Sequence, residues 1–244
     1  MPILNAVLLS AVAGLATGLG GASVALLRRL EMRTYDALLG FAAGVMTAVA
    51  TMGLAVQAQS QGQPHVVLIG LAVGAAGLFA LDRLLPHEHL PIAVADASSY
   101  RRGMLLFAAL TLHNIPEGLA VGTSYMAQPR LGLLLAIAIA LHNIPEGIAV
   151  AGPLRASGMP AWRYLAWTTA SGLAEPIAAF LGAALVSLWL PILPLCLAIA
   201  AGAMLYVVSD ELIPESHSHG FEHEATLGFI LGFMLVLGLS QLLA

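Results

Sequence analysis

His113-Asn114-Ile115-Pro116-Glu117-Gly118 and His142-Asn143-Ile144-Pro145-Glu146-Gly147 are one hexapeptide written twice, each copy inside an otherwise apolar stretch. Imidazole nitrogens, amide oxygens and carboxylates together suit a transition-metal dication; a magnesium or calcium site is normally oxygen-only. On a helix, His113 and Glu117 stand four apart and Asn114 and Glu117 three apart, so one face can carry all three; His142, Asn143 and Glu146 repeat the pattern. A single His-x-x-x-Glu pair would say little. Two copies at membrane depth, where ionisable groups are costly and usually functional, point to one polar site. Glu175, in Ser171-Gly172-Leu173-Ala174-Glu175-Pro176, adds a third carboxylate inside an apolar segment. With Glu117 and Glu146 it offsets one dication fully and a second only partly.

Pro116 and Pro145 lack N–H groups, so the carbonyls of Leu112 and Leu141 lose their helical partners and a kink is expected at each ring. Backbone freed in this way at membrane depth is tolerated where it is buried or lines a wet cavity, and transporters use such breaks to present backbone to an ion.

The elements that must position these groups follow from composition. Hydrophobic residues make up 59% of the 244 and charged residues only 9%, too few to cover a water-soluble protein of this length. The formal net charge of −4 implies no nucleic-acid partner. A membrane span needs about 20 mostly apolar residues. Eight stretches qualify, near 4–27, 36–57, 66–85, 103–126, 130–153, 164–188, 194–213 and 225–243. The expected fold is therefore an all-α integral membrane protein, a single polytopic domain over 1–244. The first stretch lacks a basic leader and reads as a retained span. Cys196 is the only cysteine.

All nine basic residues are arginine, and eight of them flank the 1–2, 3–4 and 5–6 connections, with Arg130 alone on the other side. The positive-inside rule puts those connections in the cytoplasm and both termini outside. Spans 4 and 5 are joined by a short turn and should pack antiparallel, with His113 and His142 at the same depth. From the helical rise, Glu117 is expected about 6 Å nearer the outside and Glu146 about 6 Å nearer the cytoplasm, an elongated site. Glycines four apart at Gly14/Gly18, Gly40/Gly44 and Gly70/Gly74 read as close helix packing.

Weaker candidates surround this core. Met46 in span 2 is either core or a soft thioether ligand facing the site. His87-Glu88-His89, and Asp210, Glu211 and Glu215 followed by His217, His219, Glu222, His223 and Glu224, are either solvated polar clusters or places of transient metal capture. Asp210 and Glu211 lie deeper and are the better pathway candidates. Asp36, Asp82, Asp96 and His65 read as interfacial.

On these residues the chain resembles the ZIP (Zrt/Irt-like) family of divalent metal transporters, in its prokaryotic branches. The likeness covers eight spans, His-Asn-x-Pro-Glu-Gly in span 4, a related motif in span 5, a mid-span glutamate in span 6 and a polar Val208-Ser209-Asp210-Glu211-Leu212-Ile213-Pro214-Glu215 ending to span 7. The resemblance implies a metal site between spans 4 and 5 that passes Zn²⁺, and related ions such as Cd²⁺, Fe²⁺, Mn²⁺, Co²⁺ or Ni²⁺, into the cytoplasm. It implies a homodimer, and spans 1–3 and 6–8 as inverted repeats around the 4–5 pair. His113, Asn114, Glu117, His142, Asn143, Glu146 and Glu175 carry over as metal ligands, with Met46 and Glu211 as second-rank candidates. Some members have aspartate where Asn143 stands, so one bound metal is favoured here over two. A membrane-embedded metal hydrolase is the alternative, since a midplane metal could also activate water; the His-Glu-x-x-His spacing used by such enzymes is absent.

Overall fold

The computed structural model describes residues 1–26, 31–84 and 97–243. Eight helical spans are present among them, at Pro2–Leu26, Met32–Gln61, Pro64–Arg83, Ser98–Ala127, Pro129–Ala156, Ala161–Leu188, Leu190–Ser216 and Glu222–Leu242. Each lies within a few residues of an apolar stretch expected from the sequence. His87-Glu88-His89, Asp96, Arg28 and Arg29 lie outside the described residues.

The distribution of side-chain size shows what the helices are packed for. Span 1 turns Ala6, Ser10, Ala13, Gly14, Thr17 and Gly21 inward and Leu4, Leu8, Val12, Leu15 and Leu19 outward. Lipid tails are as apolar as leucine, so large side chains gain nothing by turning in, whereas small ones let backbones approach. Glycine therefore sets the helix pairs. A Cβ built on Gly40 would fall 2.1 Å from the Ala225 carbonyl oxygen, and one on Gly44 1.9 Å from that of Phe229. Gly228 and Gly232 return the contact against Ala37 and Phe41. Gly74 meets Ile199 in the same way and Gly202 meets Leu71, so the glycines read as packing positions do pack.

The most extensive pairings are span 2 with span 8, span 3 with span 7, span 1 with span 5, span 4 with span 6, and span 1 with span 6. Exchanging 1 with 6, 2 with 7, 3 with 8 and 4 with 5 leaves that set unchanged, as inverted repeats around the 4–5 pair require. Spans 1, 4, 5 and 6 form one bundle and spans 2, 3, 7 and 8 another, touching mainly where span 2 meets span 5 and span 4 meets span 7. Span 5 is the most central: 72% of its apolar stretch is buried, against 22% for spans 3 and 8.

The helix irregularities fall elsewhere than expected. Helix runs without a break through Pro116 in Ala97–Ala127 and through Pro145 in Pro129–Ala156. One lost N–H leaves most of the ladder intact, and neighbouring helices can re-satisfy a single carbonyl. Span 6 instead divides at Leu173, between Ala161–Gly172 and Ala174–Leu188, directly before Glu175-Pro176. Spans 2 and 7, partners in the exchange, each widen into a π-helical segment, Val49–Ala55 and Val208–Leu212. Such widenings frequently mark functional positions.

Candidate metal centre

Spans 4 and 5 bring Glu117, His142 and Glu146 together, with one ligand atom from each within 4.8 Å of the others. All three side chains are fully buried. His142 Nδ1 donates to the carbonyl of Ala138 one turn back, at 3.2 Å. A carbonyl can only accept, so the hydrogen is on Nδ1 and Nε2 is the nitrogen turned to the carboxylates. Nε2 lies 2.9 Å from Oε1 of Glu117 and 3.8 Å from Oε1 of Glu146. The expected stagger of the two carboxylates is thus corrected. Both side chains reach back to one imidazole, because a glutamate's length spans most of a helical turn, and the site is compact instead of elongated.

Asn143 and Glu175 form a second layer beside this trio. Nδ2 of Asn143 donates to Oε1 of Glu175 at 2.5 Å and to the carbonyl of Ala13 at 2.9 Å. Both amide protons are thereby used, and Oδ1 is left buried without a partner. Asn114 makes its contact on the other side, donating to Ser171 Oγ at 3.1 Å, while Ser171 passes its own hydrogen to Thr111 Oγ1 at 3.2 Å, whose hydroxyl hydrogen goes to the carbonyl of Phe107 at 2.6 Å. Its own Oδ1 is likewise unpartnered. Ala138, Ala13 and Thr111 were not foreseen from the sequence. The first two act through backbone, which leaves no residue-type signal.

His113 points another way. Its Nε2 lies 3.4 Å from Oε2 of Glu211, on the π-helical segment of span 7. Glu211 in turn lines a cleft of about 550 Å³ at the arginine-rich end, together with Asp82, Arg102, Ala109, Asp210 and Glu215. His113 and Glu211 thus stand between the buried trio and the cleft. Met46 is fully buried three residues before the other π segment and joins the apolar core; no bond ties its sulfur to the trio among the described residues. His65 is exposed, as an interfacial residue should be, but Asp36 is not: it is completely buried, with His219 Nδ1 at 2.8 Å from its Oδ1. The sequence put it at the first residue of span 2, but the helix begins a turn earlier at Met32, and the 7–8 connection folds over that end.

The motif glycines complete the arrangement. A Cβ on Gly118 would fall 2.1 Å from the Glu175 carbonyl oxygen in span 6, and one on Gly147 1.9 Å from that of Thr17 in span 1. Each copy of the hexapeptide therefore ends in the residue that seats its span on the neighbour across the pseudo-two-fold.

The chemistry available is cation binding. Glu117 Oε2, both Glu146 oxygens, Glu175 Oε2 and the oxygens of Asn114 and Asn143 are buried with no hydrogen-bond partner among the described residues. Orphaned buried carboxylate oxygens are expensive, and a cation held among them, or a proton, would satisfy them.

Comparison with known proteins agrees with this. Residues 86–240 match the family profile described as ZIP Zinc transporter. The chain is similar to the zinc transporter GufA of Myxococcus xanthus, 40% identical across 95% of this chain and 96% of that protein. It is similar to the zinc transporter ZIPB of Bordetella bronchiseptica, 39% identical over 93% of this chain and 78% of that protein. ZupT of Chlorobium phaeovibrioides, also a zinc transporter, is 39% identical over 98% of this chain and 97% of its own. With a family profile matched over 86–240 and likeness over nearly all of this chain, the chain belongs to the ZIP zinc transporter family.

Proposed function

We propose that the protein imports zinc into the cytoplasm through a single midplane site whose core is Glu117, His142 and Glu146. It is a transporter and not an enzyme, as membership of the family implies, and the hydrolase alternative falls away. The observation that carries the reading is the convergence of three fully buried ligand atoms within 4.8 Å. Two carboxylates neutralise one dication, and the fixed tautomer of His142 presents a lone pair to it. His113, Asn114, Asn143 and Glu175 complete the ligand set as the ion enters and leaves. Met46 and Glu211 are second-rank ligands, Glu211 on the way to the arginine-rich cleft.

The arginine distribution supports that cleft as the cytoplasmic exit, with both termini outside the inner membrane. The metal then moves from Glu117, His142 and Glu146, past His113 and Glu211, toward Asp210 and Glu215. The reading extends to a homodimer, to one polytopic domain, and to Cd²⁺, Fe²⁺, Mn²⁺, Co²⁺ and Ni²⁺ as competing substrates.

Uptake of radioactive zinc into proteoliposomes tests it. Glu117→Ala and Glu146→Ala should each abolish uptake while the protein still elutes as a folded species. Normal uptake by either folded variant overturns the proposed site.

A further inference from the structure

At the arginine-rich end, outside the trio, five side chains from three parts of the chain form one cluster, and two of them meet at a single nitrogen. Arg102 Nη2, at the start of span 4, lies 2.6 Å from Glu215 Oε1 and 2.9 Å from His219 Nε2. On the far side of the ring, His219 Nδ1 lies 2.8 Å from Oδ1 of the completely buried Asp36. Tyr35 clamps both groups: its hydroxyl donates to Glu215 Oε1 at 3.3 Å, and its ring packs edge-on to His219 with centroids 5.5 Å apart.

The partners fix the tautomer completely. Asp36 can only accept, so His219 Nδ1 carries the hydrogen; the guanidinium can only donate, so Nε2 offers its lone pair. A buried carboxylate holding one imidazole nitrogen so that the other presents a lone pair is the arrangement found behind metal-bound histidines. Here the lone pair and a carboxylate oxygen converge on a single cationic nitrogen. Asp36 Oδ2 is buried with no partner among the described residues. Its charge is therefore answered only through the ring.

We propose that His219 Nε2 and Glu215 Oε1 form an exit-side zinc site in which Arg102 is the resident cation, displaced when a metal ion arrives through the cleft that Arg102 and Glu215 line. Charge favours the exchange. With neutral His219, the carboxylates of Asp36 and Glu215 and the Arg102 guanidinium sum to one negative charge; a dication in place of the guanidinium brings the sum to zero. Arg102 belongs to the bundle of spans 1, 4, 5 and 6, whereas Tyr35, Asp36, Glu215 and His219 belong to the other. Metal occupancy therefore also unties one bundle from its neighbour. The inference rests on the proposed transport reading for its source of metal, but it is tested apart from it.

The test is equilibrium dialysis of radioactive Zn²⁺ with the full chain in lipid nanodiscs, starting from Glu117→Gln/Glu146→Gln. That protein should keep one weak binding event. Adding Arg102→Ala should tighten it by about tenfold or more, the release of a charged hydrogen bond. Adding Asp36→Asn should weaken it about tenfold, and His219→Gln should remove it. A misfolded chain would expose other histidines, so the gain in Arg102→Ala counts only for protein that elutes as a folded species, and it stays informative even where His219→Gln folds poorly. No zinc bound to the Arg102→Ala protein, or binding that ignores His219→Gln, overturns the exit site and leaves only a salt-bridge cluster. Failure of the central site is separately visible, as unchanged uptake by Glu117→Ala or Glu146→Ala in liposomes.

Discussion

Asn143 holds Glu175: the two side chains meet at 2.5 Å, and the second amide proton of Asn143 goes to the carbonyl of Ala13. One amide thus links span 5 to spans 1 and 6 and leaves its oxygen buried with no hydrogen-bond partner among the described residues. The bond also keeps one Glu175 oxygen occupied and the other open.

Asn143→Asp exchanges that donor for a second carboxylate at hydrogen-bond distance. Two like charges so close and so buried require a shared proton or a further cation. The variant should bind a second zinc ion at the centre where the parent binds one, read as stoichiometry by dialysis in the His219→Gln background. A stoichiometry that stays at one counts against a charge-limited centre.

The two histidines should behave differently. His142 faces both Glu117 and Glu146, whereas His113 faces Glu211. His142→Ala removes the only nitrogen in the trio, and zinc affinity should fall by at least about a hundredfold, the scale set by losing a charged buried interaction of roughly 3 kcal/mol. His113→Ala should cost less affinity and lower the maximal uptake rate more. Equal losses of affinity would remove the distinction between a holding and a passing ligand.

Gly118 and Gly147 should tolerate no side chain. An added methyl meets a backbone oxygen in each case, at 2.1 Å and 1.9 Å. Overpacking of this kind costs about 1–3 kcal/mol, and backbone cannot step aside as a side-chain tip can. Gly118→Ala and Gly147→Ala should lower the thermal midpoint in detergent, whereas Gly77→Ala, with open space around it, should not.

Topology is open to a direct check. In a Cys196→Ala background, a cysteine at Gln63 and one at Ser218 lie beyond opposite ends of their spans and are both exposed. An impermeant maleimide added to intact cells should label the first and not the second. The reverse pattern inverts the proposed direction of transport.

Much of this was legible in the sequence because membranes impose length and polarity on a chain. The eight spans and the pairing of the hexapeptides follow from apolar runs and interruptions. What was not legible depends on contacts between distant parts. The π-helical segments at Val49–Ala55 and Val208–Leu212 answer to no single residue type, whereas the break at Leu173 is local, since Pro176 has no N–H to give the Gly172 carbonyl. The burial of Asp36 requires knowing that the 7–8 connection folds across span 2. The stagger of Glu117 and Glu146 was inferred from helical rise alone, which ignores how far a glutamate reaches back.

The glycine contacts between spans 2 and 8 interlock from both sides, with Gly40 and Gly44 receiving carbonyls from one helix while Gly228 and Gly232 receive them from the other. Such a seam has a registry. Sliding one helix past the other by a single residue would drive a Cβ into a carbonyl oxygen at every notch, so the pair behaves as a toothed rail that holds its place. The boundary between the bundles has few such teeth and is tied at one end by a guanidinium that can be exchanged for an ion. A cargo that undoes the tie while it sits at the exit leaves the seam open for as long as it stays, and its departure lets the guanidinium close the seam again.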